Sequence, residues 1–586
     1  MKVKTFSIKN NGQKYNIYFE YQNKSFIFSC TPKKRCMLSK NFSEEYNTIL
    51  CKKTYQRVMH YLYINSKGDL MLTSNTQHIM NIKQRLIVFP FFSYFIILGK
   101  FPSVSKNFDE IFIDNISFGK IKRFPFFKKF GFIKLNVEKI IQHSSKFHSP
   151  LWMGNEDVKT RLKFIKSYSI PFCFFGIKYS DKYVLIRTQA NSSNLFITVI
   201  PFSPLYSIFS SIKMSFAHLC SHFFKKTGVV LYEKLASQAE ESGIYVFEKI
   251  MQRTDLKETA YFILDESAPA YLDLKKKYPS NILPRFSFKH FFEVFRCRLL
   301  MSSEFPPHVF TGRVFKNCLI RLLKSKEWVF LQHGIMFAKP IENPMGKGFY
   351  KKNLQYNMLK VVVSSDLESG EFLKAGYSVC DLIKCGLPKF DVSRQQAGAD
   401  KILFMPTYRF WEEALVLHPK KIVETTYFKL YEKIIEEFKK RNLFDRLLLA
   451  AHRSLADALK DKLDISDDHF PQSINAALEQ ACIFITNFSS ASYDAHYRGA
   501  YIIYYWEERA YLEKNYQAVA PINAQNCDGI PVYSIDALFK EIDRAVTNSY
   551  RMPLWCEENY KKINEFHDNN NADRLIDSLK EARIIY

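Results

Sequence analysis

Five polar clusters, each directly after a short apolar run, carry the side chains of this sequence that could do chemistry. They are Gln332-His333-Gly334, Ser364-Ser365-Asp366, Pro406-Thr407-Tyr408-Arg409, His452-Arg453-Ser454 and Asn487-Phe488-Ser489-Ser490-Ala491-Ser492. Between the second and third lies Gly386-Leu387-Pro388-Lys389-Phe390-Asp391. A short apolar run that stops in a polar loop reads as a buried parallel strand, and open α/β sheets gather ligands at the carboxyl ends of such strands. The inventory is histidine, arginine, lysine and hydroxyl, with few carboxylates. A neutral imidazole suits general-base work near pH 7. Hydroxyls, arginine and backbone N–H groups are what a phosphate needs. Gly334 permits a turn or a close approach that a side chain would block. Ser489-Ser490 could present a helix N-terminus to an anion, and plain N-capping is the competing use of such serines. No D-x-D or His/Asp cluster points to a dedicated metal site.

The elements that must position these loops alternate. From Gly228 onward, strands are expected at Val229–Tyr232, Ala260–Leu264, Trp328–Leu331, Val361–Val363, Ile402–Met405, Leu447–Ala450, Ile483–Thr486 and Tyr501–Tyr505. Helices are expected at Glu233–Ser242, Tyr245–Gln252, His290–Met301, Ser369–Ala375, Glu424–Lys440, Ser473–Gln480 and Asp536–Thr547. Alternating βα units imply parallel sheets with helices on both faces. A Gly/Pro/Asn-rich connection at Ile341–Asn353 splits them near Gly348 into two facing Rossmann-like halves, 228–350 and 351–586. No dinucleotide fingerprint, Walker A loop or kinase set is present.

Residues 1–204 read as a β-rich basic accessory domain, with alternating β-formers at Thr5–Ile8, Tyr15–Tyr21 and Tyr183–Thr188. Residues 205–227 form an amphipathic helix or linker. Its apolar positions, from Leu205 to Phe224, recur at helical spacing and end in Lys225-Lys226, which suits either a membrane surface or packing on the next domain. The chain is 47% apolar and carries a formal charge of +26. Residues 1–227 hold 35 Lys and Arg against 11 Asp and Glu, while the remainder holds 49 against 47. The excess names partners rather than a fold: anionic membrane, nucleic acid or an anionic polymer. The 12 scattered cysteines argue against a zinc or disulfide framework and suit a reducing cytosol. The N-terminus lacks the apolar core of a signal peptide. The longest apolar run, Leu86–Gly99, is too short to span a membrane and reads as a buried strand pair.

Taken in order, the loops resemble the CDP-glycerol glycerophosphotransferases, which include teichoic-acid primases and polymerases and related bacterial capsule polymerases. That family carries a His-Gly loop with a lysine soon after, as in His333-Gly334 and Lys339. Gly386-Leu387-Pro388-Lys389-Phe390-Asp391 is similar to its Gly-x-Pro-Arg-x-Asp element, with lysine for arginine. Ile402–Arg409 is similar to its I-L-x-x-P-T-x-R segment, and Thr486–Asp494 to its T-D-Y-S-S-x-x-x-D loop, with Asn487 for the aspartate. His452 is preferred as the second histidine over His418, which lies only nine residues past Arg409. The likeness runs from about Gly228 to about Tyr516.

The resemblance implies a GT-B fold, with an acceptor-side half at 228–350 and a CDP-donor half at 351–586. It implies transfer of glycerol phosphate, or another alditol phosphate, from a CDP-linked donor to a hydroxyl of a polymer or lipid-linked acceptor. CMP would leave, in teichoic-acid-like or capsule synthesis. His333 would be the base, with His452 the second catalytic histidine. Gly334, Lys339, Gly386, Pro388, Lys389, Thr407, Arg409, Asn487, Ser489, Ser490 and Asp494 would bind substrate. No cofactor is implied, and weak or no metal dependence is expected. The basic module would hold an anionic polymer or the inner face of the cell membrane, making the protein cytoplasmic and peripheral. Two rivals share parts of this pattern. One is a GT-B glycosyltransferase with a nucleotide-sugar donor. The other is a non-enzymatic polyanion-binding protein, although no RRM-like signature is found and nucleic acid is not an expected partner.

Overall fold

Side chains alternate between inward and outward along the early strands, and that period of two builds antiparallel sheets with one wet face. Tyr15–Tyr21, for example, buries Ile17, Phe19 and Tyr21 and leaves the residues between them partly open. The computed structural model describes the chain apart from residues 1–2, 11–13, 32–34, 44–47, 57, 66–67, 75–84, 102–108, 115, 128–129, 144–147, 155–158, 163–175, 189–193, 227, 257–258, 417–420 and 452. It divides into two units, Met1–Ser203 and Pro204–Tyr586. The first unit is β-rich, with separate cores around Ile17–Leu72 and Leu86–Ile197. The apolar run at Leu86–Gly99 is a hairpin of Arg85–Phe91 and Tyr94–Lys100, burying Leu86, Val88, Phe95 and Ile97. Among the described residues, no helix is long and apolar enough to cross a membrane.

The second unit holds two parallel sheets. The first contains β1 (Val229–Leu231), β2 (Ala260–Leu264), β3 (Ile282–Pro284), β4 (Leu299–Ser302), β5 (Glu327–Phe330), β6 (Asn357–Val363) and β7 (Leu382–Lys384), in the order β3-β2-β1-β4-β5-β6-β7. The second contains β8 (Lys401–Phe404), β9 (Leu447–Leu449), β10 (Ala481–Thr486), β11 (Tyr501–Tyr505) and β12 (Ile530–Val532), in the order β9-β8-β10-β11-β12. Strand order reverses between β1 and β4 and again between β8 and β10, and such switch points open a crevice at the carboxyl ends. Five helices matter below: α1 (Ile208–Ser221), α2 (Asp366–Lys374), α3 (Ala491–Arg498), α4 (Leu554–Ile563) and α5 (Asn571–Glu581). After the second sheet the chain returns to the first half. Glu565 N–H donates to the Ser364 carbonyl at 3.0 Å, Arg574 donates to the Cys385 carbonyl at 2.7 Å, and the Asp391 carboxylate accepts the first N–H groups of α5 at 2.9 Å. The result is a GT-B-like pair of Rossmann-type halves.

Three expectations need correction. The halves do not part near Gly348. β6 pairs in parallel with β5, because the Gly/Pro/Asn-rich connection folds as short 3₁₀ turns beside the first sheet rather than as a linker. The crossover comes after β7. The apolar stretch His290–Met301 is not one helix: it stops at Arg296, Cys297 is extended, and Leu299–Ser302 is the central strand β4. Short apolar runs fit either period, which is why the sequence alone merged them. Glu233–Ser242 is mostly non-helical, since Leu235 and Ala236 take left-handed conformations and the next helix starts at Ser242. The amphipathic segment does form α1, capped by Ser207 on the Ser210 N–H. Met214 and Ala217 pack inward, while Phe209, Ile212 and Phe216 face solvent.

Gly386 sits at the crossover with φ +80°, and an added Cβ would fall 2.4 Å from Asn571 Oδ1 on α5. Gly398 has φ +77° but nothing within 4 Å of that position. Gly398→Ala should therefore show strain alone, about 1 kcal/mol in urea denaturation, and Gly386→Ala a loss larger by about 1–3 kcal/mol.

Candidate functional site

The loop after β5 is held by a buried carboxylate. Leu331 N–H donates to the Ser302 carbonyl at 2.9 Å, continuing the ladder to β4. Gln332 then turns through the left-handed region at φ 57°. Its amide donates to the Val362 carbonyl at 2.5 Å and to Glu368 on α2 at 2.9 Å. Glu368 also accepts the N–H groups of Met336 and Ser364, each at 2.6 Å. Burial pushes the Glu368 carboxyl up to about 7, and those N–H bonds oppose the rise. The loop is thus pinned on both sides of His333.

Gly334 serves the close approach that its lack of a side chain allows. A Cβ there would lie 2.9 Å from Ser490 Oγ, which comes from the other half. Between them is a cleft of about 380 Å³ at the carboxyl ends of both sheets, bounded by His333, Lys339, Thr407 and Ser490, with Tyr408 and Tyr516 among its walls. Ser490 is the N-cap residue of α3, and its own side chain makes no capping hydrogen bond. The positive end of a helix therefore opens on the cleft.

His333 and Lys339 are crowded by neighbouring atoms yet keep surface open to the cleft. His333 Nδ1 lies 3.4 Å from the Ser303 carbonyl. A carbonyl can only accept, so Nδ1 carries the hydrogen and Nε2 keeps its lone pair. Burial lowers the imidazole pKa, Glu304 opposes this, and the Lys389 and Lys339 charges add to it. Burial likewise lowers Lys339. Among the described residues, no hydrogen-bond or ion-pair partner of the Lys339 ammonium is found, and no group of three His, Cys, Asp or Glu could hold a metal.

Beneath the cleft lies a buried ion cluster. The Lys389 ammonium contacts Asp494 on α3 at 2.6 Å and Glu241 at 3.3 Å, and donates to the His333 carbonyl at 2.7 Å. Burial works against its charge, but Asp494 and Glu241 more than offset this and hold its pKa above the usual range. Glu241 itself is raised by burial, against the pull of Lys389.

Of the residues expected to bind substrate, the structure brings Gly334, Lys339, Thr407 and Ser490 to the cleft with His333. The others do not bound that cleft. Lys389 and Asp494 bind each other. Arg409 is fully buried, pairs with Glu508 and Thr426, and is not among the residues bounding the cleft. Gly386 and Pro388 are buried at the crossover, Gly386 against α5. The Asn487 side-chain carbonyl accepts the N–H groups of Thr407 and Phe488 at 2.8 Å, tying the β8 and β10 loops together. Ser489 Oγ accepts the Ala491 N–H. His452 and the alternative His418 lie outside the described residues. Sequence reasoning missed Glu368, Glu304 and His308, whose Nε2 is 3.8 Å from the Glu304 carboxylate. A lone acid on a helix gives no signal, and Glu304 follows a strand that had been read as helix.

Residues 214–581 match the family described as CDP-Glycerol:Poly(glycerophosphate) glycerophosphotransferase. The minor teichoic acid biosynthesis protein GgaB of Bacillus subtilis (strain 168) is 24% identical over an alignment of 544 positions that covers 84% of this chain. The chain spans 57% of that relative's length. A solved structure of the wall teichoic acid polymerase TagF is similar at 13% identity and TM-score 0.43, covering 64% of this chain and 93% of the other. The S. aureus MnaA-UDP co-structure is similar at 9% identity and TM-score 0.38, covering 62% and 98%.

Replacing Lys389 by methionine would leave Asp494 and Glu241 buried without a cation. Breaking one side of a buried ion pair costs about 3–5 kcal/mol. The deprived carboxyls would then titrate above their unfolded values, so the folded variant takes up protons first. Its deficit in urea denaturation should shrink as pH falls from 7 towards 5, and Lys389→Met/Asp494→Leu should recover much of the loss at pH 7.

Proposed function

Because the chain belongs to the CDP-Glycerol:Poly(glycerophosphate) glycerophosphotransferase family, we propose that its cleft moves glycerol phosphate, or another alditol phosphate, from a CDP-linked donor to an acceptor hydroxyl. The acceptor is a cell-surface polymer or its lipid-linked precursor, and the product belongs to teichoic-acid-like or capsule polymers. One observation carries the reading: a histidine with a free Nε2 faces the start of a helix across a cleft at two switch points.

In this reading His333 Nε2 takes the proton of the acceptor hydroxyl as its oxygen bonds to the β-phosphorus of the donor. The bond from that phosphorus to the bridging oxygen breaks, and the oxygen leaves on CMP. His333 then returns the proton to solvent. Charge gathers on the phosphate oxygens during the exchange. Lys339, the Ser490 hydroxyl and the start of α3 stand where donors and positive charge stabilise it. Desolvation by crowding atoms lowers the His333 imidazole pKa, which favours the neutral form that a base requires. The cleft supplies its own positive charge, so turnover is proposed to need no cofactor and to survive chelation of divalent ions. The exposed apolar face of α1, with Lys213, Lys225 and Lys226 in or just beyond it, would rest on the inner face of the cell membrane beside a lipid-linked acceptor.

His333→Ala should lower acceptor-dependent CMP release by about 10²–10⁴-fold while donor binding changes little. In the wild type, kcat/KM should hold from pH 8 to below 6.5 and fall only where the imidazole takes up its proton. A His333→Ala enzyme keeping a tenth or more of turnover would defeat the assignment.

A further inference from the structure

In the first unit, the hairpin after Arg123 exposes its aromatic side chains to water. Lys122–Arg123 pairs with Phe130–Asn136, with Lys122 opposite Phe132 and Arg123 opposite Gly131. Two backbone bonds join the hairpin's described residues: Phe124 N–H donates to the Phe130 carbonyl at 3.0 Å and Phe130 N–H to the Phe127 carbonyl at 2.7 Å. Its base is fixed as well. The Arg123 guanidinium holds Asp109 at 2.6 Å and the Phe101 carbonyl at 3.1 Å. Gly131 allows the strands to approach, since a Cβ there would meet the Lys122 carbonyl at 2.7 Å.

At the tip Phe126 is 93% exposed, Phe127 68%, Phe130 44% and Phe124 38%. Large aromatic side chains exposed together are unfavourable in water and mark a surface that is covered in use. Lys100, Lys120 and Lys122 are exposed on the strands around it. Residues 100–134 hold eight Lys and Arg against three Asp and Glu. Of those three, Asp109 is engaged by Arg123, Asp114 accepts the Ser149 hydroxyl, and Glu110 accepts the Ser117 hydroxyl.

We propose that this hairpin tip is a membrane-docking element, with Phe126 and Phe127 entering the acyl boundary of an anionic bilayer while the surrounding lysines meet its head groups. The side chains decide the occupant. All four aromatics are phenylalanine, with no hydroxyl or indole N–H to bond a sugar or phosphate. Apolar wedge and basic collar together are the pattern of interfacial binding. The inference rests on neither the transfer chemistry nor the apolar face of α1.

The test uses the full chain and vesicles of phosphatidylcholine with about 30% phosphatidylglycerol. Phe126→Ser/Phe127→Ser should weaken partitioning by about fivefold or more, with an unchanged melting curve. Ile212→Ser/Phe216→Ser, on α1, measures that helix's share separately. In Phe126→Trp, the added emission should shift to shorter wavelength with these vesicles and be quenched by brominated acyl chains. A loss below fivefold, or an emission that vesicles leave unmoved, overturns the proposal. So does an equal shift with soluble poly(glycerol phosphate), which would make the tip a polymer contact instead.

Discussion

The geometry of the cleft depends on one buried ammonium. Lys389 leaves the crossover between the halves and reaches Asp494 on α3, Glu241 beside the first sheet and the backbone of His333. Removing these charges from water is costly, and only close contacts with the donors satisfied can offset it. In return the cluster fixes a register. Ser490 is the N-cap of α3, and Asp494 lies one turn further on, so holding Asp494 also holds Ser490 opposite Gly334. His333 and the helix start come from different halves, and this cluster sets the space between them.

A second carboxylate does the same work within one half. Glu368 collects the Gln332 amide and two backbone N–H groups, so the left-handed turn before His333 is held by contacts rather than by glycine. Charges thus divide by environment. Those with partners (Lys389, Asp494, Arg409, Glu368) build the frame, and Lys339 stands in the cleft. Reactive groups need freedom to meet a substrate, while framework charges must be neutralised where water is absent.

This division explains what could be read from the sequence. Strand-end loops were legible because apolar runs stop abruptly in polar residues, and Trp328–Leu331 and Ile483–Thr486 both place such loops at the cleft. His333, Gly334, Thr407 and Ser490 followed from that alone. Arg409 and Lys389 looked equally like ligands, because a sequence shows a charge but not its burial or its partner. Glu368 and Glu304 gave no local signal, since their roles come from contacts made 32–36 and 29 positions away. The merging of β4 into a helix hid the switch point, and with it Glu304 and His308. The split near Gly348 failed because glycine and proline mark turns as readily as linkers. The first unit lies almost wholly outside the matched family residues, and there only composition and alternation spoke.

The account stands or falls on where phosphorus goes. Purified protein would be given CDP-glycerol, CDP-ribitol and several nucleotide sugars, each with a polymer or lipid acceptor. The released nucleotide and the new bond would be identified by chromatography and ³¹P NMR. The account predicts CMP from a CDP-alditol and a new phosphodiester resonance in the acceptor. Release of a nucleoside diphosphate from a nucleotide sugar, with no phosphorus gained by the acceptor, would contradict it and make the cleft a sugar-transfer site.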